Sequence, residues 1–193
     1  MSASAPTDHS PLLRSWPVEA DHVISGVAAA SLFDIYLRSF GDLRVRAAAR
    51  HCLTAAEFDD EMSDARITKY TVWRGPSDPV ALATVTTDLS AVTWISPAFF
   101  TSRHPEQAAR QAIHYLGFAL VVPGRGEYRL LERLVHEAVR PCLEQQGVLA
   151  YDVCAFNEQT IQLGRRSATL LRRLADVRVE AVDTQTYYEA VFL

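Results

Sequence analysis

The sequence is short of lysine, of paired cysteines and of long apolar segments. Lys69 is the single lysine among 19 basic residues, and 23 acidic residues bring the net charge to -4. Such a chain lacks the positive charge that nucleic-acid-binding domains use to hold phosphates, so we expect no nucleic-acid partner. The three cysteines are widely spaced and include no CxxC pair. This spacing argues against a disulfide framework and a cysteine zinc site, and it favours a reducing, cytoplasmic setting.

Membrane and metal signals are missing as well. The longest apolar run, residues 115–123, is far shorter than the roughly 20 residues that cross a bilayer, and the N-terminus lacks a signal-peptide pattern. No two of the six histidines are four residues apart, as they are in helical metal sites. The GxSxG, P-loop and GxGxxG patterns are also absent. We therefore expect no membrane association and no metal.

The composition is that of a globular protein. Apolar residues make up 49% of the 193 residues and charged residues 22%. A chain of this length suits one domain with one core. Residues 1–21 have no clear hydrophobic period and predict a flexible N-terminal arm. Residues 22–193 are then a single domain.

Hydrophobic periodicity predicts alternating strands and helices in that domain. Strands are expected at 22–28, 67–74, 80–87, 112–122, 148–155 and, as one or two strands, 177–192; helices are expected at 30–40, about 55–62, 127–146 and 158–174. A capping-box pattern at 54–57 opens the second helix, and the turn-forming residues 75–79 make a hairpin. The strands at 112–122 and 148–155 should be central, parallel and splayed at their C-terminal ends, since a helix connects them.

This order of elements resembles the GNAT acyltransferase superfamily over about residues 22–192. Local features that carry the resemblance are the end of the long strand, the glycine-containing loop behind it and an Asn after the next strand. The resemblance implies an α/β (α+β) fold with a mixed, mostly antiparallel central sheet, a parallel splayed strand pair and flanking helices. It also implies acetyl-CoA or another acyl-CoA, whose pyrophosphate lies on backbone amides at the strand-to-helix turn. The corresponding residues are Val121, Val122, Gly124, Arg125, Gly126 and Asn157.

The chain departs from the family pattern at several positions. The family usually has Arg or Gln where Val121 stands, and a catalytic Tyr where Gly164 stands. Residues 115–122 contain no Asp or Glu that could act as a general base. The Glu127 carboxylate either repels a bound phosphate or points to solvent as an ordinary acid in the first turn of a helix. Two interpretations stay open. One is an N-acyltransferase that modifies a small primary amine largely by positioning, and the other is a non-catalytic protein of this fold that binds a ligand or partner.

Two residues are candidates for catalytic roles. Asp152 is the candidate general base, because a carboxylate in an otherwise apolar strand must be paired; a structural hydrogen bond is the alternative. Tyr188, in the expected terminal strand, could donate toward the acyl group, with core packing as the alternative. The acidic residues of 57–64 are either a solvated helix face or a surface that attracts a cationic amine.

The insert at 88–110 carries Trp94, Phe99 and Phe100, which is too much apolar surface to leave in water. We expect it to cover the acceptor end of the cleft or a subunit interface, so a homodimer is an alternative.

A second, shorter resemblance links residues 57–89 to acyl-homoserine-lactone synthases of the same fold. That family's usual Arg after the hairpin is replaced here by Thr, Thr and Asp at 86–88.

Overall fold

The computed structural model describes residues 16–49, 52–124 and 127–192. Within these ranges the chain forms five strands and seven α-helices, with short 3-10 turns at Gly41–Val45 and Leu89–Ala91. The elements are, in chain order, β1 (Glu19–Asp21), α1 (Gly26–Phe40), α2 (Ala55–Ser63), β2 (Ile67–Gly75), β3 (Asp78–Thr86), α3 (Pro97–Arg103), α4 (Pro105–Ala109), β4 (Ile113–Val121), α5 (Glu127–Glu144), β5 (Val148–Ala150), α6 (Ala155–Ile161) and α7 (Leu163–Leu174).

The strands form one sheet in the order β1-β2-β3-β4-β5. Neighbours from β1 to β4 are antiparallel, whereas β4 and β5 are parallel. The prediction of a mixed, mostly antiparallel sheet with a parallel pair is therefore confirmed. β5 was expected to be central but lies at the edge, because no strand within the described ranges pairs with its far side.

Helices cover both faces of the sheet. Side chains alternate along a strand, so successive residues of β3 enter different cores. Leu82 is fully buried in the core formed with α1 and α2, together with Tyr36 and Phe58. Ala83 points to the opposite face and packs in the core that includes Leu134 of α5. The two nine-residue strands β2 and β3 thus carry both cores.

Local signals near the helix ends are confirmed. The Thr54 hydroxyl accepts a hydrogen bond from the Glu57 amide, and the Glu57 carboxylate accepts one from the Thr54 amide, which is a complete capping box. α3 and α4 both begin at prolines, which suit the first position of a helix because the amide there has no partner within the helix. Pro141 lies inside α5, which ends three residues later.

The beginning of the domain differs from the prediction. The strand expected at 22–28 is not formed, because α1 begins at Gly26 and its Ala-rich first turns favour a helix. The first strand lies instead at Glu19–Asp21, within the segment that the sequence assigned to the arm, and it pairs with Lys69 to Thr71 of β2. Residues 1–15 of the arm lie outside the described ranges.

The C-terminal third differs more. β5 is three residues long instead of eight, and the helix expected at 158–174 is two helices divided at Gln162, which has a φ of 51°. The terminal strands expected at 177–192 are absent from the described part of the chain. β-branched and aromatic residues favour a strand only where a neighbouring strand receives them, and residues 181–192 are exposed. Among the helices described, none is long and apolar enough to span a membrane.

Candidate functional site

β4 and β5 are paired only at their beginnings. The register joins Ile113, His114 and Tyr115 to Val148, Leu149 and Ala150, respectively, and no further pair follows. Beyond Tyr115 the edge of β4 that faces away from β3 has no strand partner among the described residues. The predicted parallel pair is therefore present, and its pairing covers three residues of each strand.

A bulge in β4 accompanies the separation. Thr84 of β3 faces Phe118, while the next residue, Val85, faces Leu116, so Gly117 is an extra residue without a partner. A bulge bends and twists its strand, and this one lies two residues after Tyr115, the last residue of β4 that pairs with β5. A Cβ atom at Gly117 would lie 2.7 Å from the Thr84 Oγ1 atom. Because this distance is too short for two non-bonded atoms, only glycine fits here without a shift. The Thr84 oxygen is buried and has no hydrogen-bond partner among the described residues.

A cavity of about 150 Å³ lies between the diverging strands. It is closed by two helices, α5 and α7, and most of its lining is apolar. Its wall comprises Phe40, Leu116 to Ala119, Leu131, Val135, Leu149, Tyr151 to Cys154, Asn157, Leu163, Ser167, Leu170 and Leu171. An apolar cleft with a few convergent polar groups is the usual form of a small-molecule site.

A wider depression of about 570 Å³ lies between β1 and the β2–β3 hairpin, with Glu19, Asp21 and Arg74 in its wall. Its charged groups include Arg74, which already pairs with Asp78 at 2.5 Å in the hairpin turn. The cavity beside β4 is the better candidate site, because it combines apolar enclosure with unpaired strand backbone.

Two side chains donate hydrogen bonds to one carboxylate oxygen of Asp152, which lies in the wall of this cavity. The Tyr115 hydroxyl donates to Asp152 Oδ1 at 2.6 Å, and the Trp94 indole donates to the same oxygen at 3.2 Å. The Trp94 nitrogen is also 3.3 Å from the Tyr115 hydroxyl. Asp152 lines the cavity, so this cluster joins the insert at 88–110 to the candidate site.

The sequence identified Asp152 but missed both of its partners. Tyr115 is hidden in the buried strand, although a hydroxyl there needs a polar partner when buried. Trp94 lies 58 residues from Asp152 in the chain, and local periodicity carries no information on such a contact. The insert does cover part of this region, because Phe100 packs against Tyr115 with 6.3 Å between the ring centroids.

Three backbone amides that are described in the expected pyrophosphate loop have partners within the chain. The Val122 amide donates to the Val80 carbonyl at 2.9 Å, and the Gly124 amide donates to Glu127 Oε2 at 2.8 Å. The Glu127 amide is 3.4 Å from the Gly124 carbonyl. The exposed Glu127 carboxylate therefore already binds the Gly124 amide, and a phosphate would have to replace it there.

The remaining predicted site residues are distributed unevenly. Asn157 lines the cavity from α6, and Val121 ends β4 opposite Ala81. Arg125 and Gly126 lie outside the described residues. Tyr188 is 94% exposed on the extended C-terminal segment and is not part of the cavity wall.

One aromatic hydroxyl, that of Tyr151, belongs to the cavity wall. Burial raises the pKa of Tyr151, and the positive charge of Arg172 partly opposes that rise. Arg173 donates to the Tyr128 hydroxyl at 2.8 Å. In the described part of the chain, no group of three or more His, Cys, Asp or Glu side chains could hold a metal ion.

No family model matches the chain, and no curated protein matches it significantly.

Proposed function

We propose that the chain is a GNAT-like N-acyltransferase that binds acetyl-CoA or another acyl-CoA and transfers the acyl group to a small primary amine. The observation that carries the proposal is the separation of β4 from β5 after three residue pairs, with an apolar cavity in the gap. A gap of this kind offers both enclosure and strand backbone to an elongated ligand.

The pantetheine arm of coenzyme A is chemically suited to that gap. It is a flexible chain with two amide groups, and an extended amide chain can bind along an unpaired strand edge as an added strand does. Residues 116–119 of β4 supply such an edge inside the cavity wall. Binding there would also order the arm and bring the thioester into the apolar gap.

The Asp152 cluster supplies an acid–base group at one end of the cavity. An amine must be unprotonated to attack the thioester carbonyl carbon, after which the carbon–sulfur bond breaks and the thiolate takes up a proton. In the proposal Asp152 accepts the amine proton, and Tyr115 and Trp94 hold its carboxylate in place. Gly164 stands where the family's usual acid would be, so the thiolate takes its proton from solvent.

Binding is tested first by calorimetry with acetyl-CoA and longer acyl-CoAs. Ser167→Phe should remove binding, because Ser167 lines the cavity and the larger side chain fills it. Thr169→Phe is the matched control, since Thr169 lies two residues further on α7 and is exposed. Failure of the wild type to bind any acyl-CoA at millimolar concentration would refute the proposal.

Catalysis is tested with Asp152→Asn. We expect acyl transfer to a panel of primary amines to fall by about 100-fold, the usual scale for one general base, while acyl-CoA affinity is retained. Equal rates for Asp152→Asn and wild type would remove Asp152 from the mechanism without affecting the binding proposal.

A second candidate function is ligand binding without catalysis. The hydrogen bond from the Gly124 amide to Glu127 favours it, because the described loop amides already have partners. Acyl-CoA binding with no turnover of any amine would support this alternative. Within the described ranges, no contact favours the acyl-homoserine-lactone-synthase-like alternative over these two.

A further inference from the structure

The last turn of α7 carries a positively charged side chain to the beginning of α5. The Arg173 Nη1 atom donates to the Tyr128 hydroxyl at 2.8 Å, and the guanidinium carbon lies 5.6 Å from the centre of the Tyr128 ring. Tyr128 is in the first turn of α5 and is 48% exposed. The aromatic ring and its hydroxyl therefore hold the guanidinium in one orientation at the surface.

This charge is not balanced by the protein. Across the described ranges, no acidic side chain forms an ion pair with Arg165, Arg166, Arg172 or Arg173 of α7. All four are exposed. Elsewhere, exposed arginines such as Arg74 and Arg140 do have acidic neighbours, Asp78 and Glu137. Within the described ranges, Arg173 thus has no ion-pair partner that would compete with an anionic ligand.

The Arg173–Tyr128 pair lies beside the candidate cavity. Leu170, three residues before Arg173, and Leu131, three residues after Tyr128, both line the cavity, and residues three apart share a helix face. Tyr128 also follows directly on Glu127, which caps the loop proposed for the pyrophosphate. A ligand that leaves the cavity along the first turn of α5 would meet this guanidinium.

We propose that Arg173, positioned by Tyr128, binds the 3′-phosphate of coenzyme A. This inference rests on the proposed acyl-CoA function. The 3′-phosphate is a monoester that carries a charge between about −1.5 and −2 at pH 7, and the planar guanidinium fork matches phosphate oxygens. Because Tyr128 already fixes the side chain, less conformational entropy is lost when the phosphate binds. The protein then distinguishes coenzyme A from its 3′-dephospho form.

The test compares the affinity for coenzyme A with that for 3′-dephospho-CoA by calorimetry at low salt. Wild type should bind coenzyme A about tenfold more tightly, and Arg173→Gln should bind both equally. Tyr128→Phe keeps the ring but loses the orienting hydroxyl, so its preference should fall to a few fold. The wild-type preference should shrink as salt rises, because exposed charges are screened.

Arg140→Gln is the matched control. It removes the same charge from α5, about 20 Å along the helix from Tyr128, and should keep the tenfold preference. Equal wild-type affinity for the two forms, or an unchanged preference in Arg173→Gln, would overturn the inference and leave the proposed function standing. No wild-type binding of either form would instead refute the proposed function, and the inference with it.

Discussion

The two edges of β4 show how differently one strand can be used. On one side β4 pairs with β3 from Ala81 to Thr86, interrupted by a single bulge. On the other side it pairs with β5 at three positions and then borders a cavity. The antiparallel side holds fully buried residues such as Leu82, whereas the parallel side is followed by a divided helix and an exposed segment. We therefore expect the first side to contribute more to stability, whereas the candidate site lies on the second.

The largest expected effect is on the antiparallel side. Leu82→Ala should lower the free energy of unfolding by about 3 kcal/mol, because it leaves a cavity in a core that cannot close around it. Leu149→Ala, beside the existing cavity, should cost only about 1 kcal/mol, since its side chain is already partly exposed. Urea unfolding measures both. Equal losses would show that the two sides are equally packed.

The bulge at Gly117 of β4 provides the next test. Gly117→Ala should destabilise by about 1–3 kcal/mol, because its Cβ atom would lie 2.7 Å from Thr84 Oγ1. Thr84→Ala removes that oxygen, so the same substitution should cost at least about 1 kcal/mol less in a Thr84→Ala background. Gly41→Ala is the control, since Gly41 is helical and has open space around it. Additive effects of the pair would contradict the contact.

The third test, on the antiparallel side, uses the pH dependence of stability that Lys69 of β2 produces. It is fully buried, and its ammonium donates to the carbonyls of His22 and Asp64 at 2.8 and 2.7 Å. Burial lowers its pKa to about 8. Between pH 8 and about 10.4, the usual lysine value, the unfolded chain therefore binds more protons than the folded one, and the stability contributed by Lys69 rises with pH.

Lys69→Met isolates this effect. Raising the pH from 8 to 9.5 should stabilise wild type by about 1–2 kcal/mol relative to the variant, since one pKa unit corresponds to about 1.4 kcal/mol. The comparison with the variant is needed because burial also raises the pKa of Cys142 to about 11, which lowers stability above pH 9 in both proteins. Parallel pH profiles in urea unfolding would show that Lys69 stays fully charged.

The same comparison explains what could be predicted from the sequence. The β2–β3 hairpin was predictable, because its apolar alternation and the turn at 75–79 are local signals. The bulge had a weaker local signal in Gly117, a glycine within an apolar strand. The partners of Asp152 had none, since Tyr115 and Trp94 are 37 and 58 residues away. The strand-forming residues of 177–192 showed a preference that only a neighbouring strand can satisfy.

The smallest expected effect concerns the loop between β4 and α5. Glu127→Gln should leave acyl-CoA affinity unchanged or raise it by up to about fivefold, because an exposed charge pair about 4 Å apart is worth about 1 kcal/mol in water. The amide oxygen of Gln can still accept from the Gly124 amide, as the carboxylate does at 2.8 Å. The loop should therefore keep its conformation while one negative charge is removed from the proposed phosphate position.

Calorimetry with acetyl-CoA measures this change, and Glu144→Gln at the far end of α5 is the control for net charge. The control should bind as wild type does. A loss of tenfold or more in Glu127→Gln alone would contradict the prediction. It would mean that the carboxylate shapes the loop for binding instead of competing with the ligand, and that the hydrogen bond to Gly124 belongs to the bound state as well.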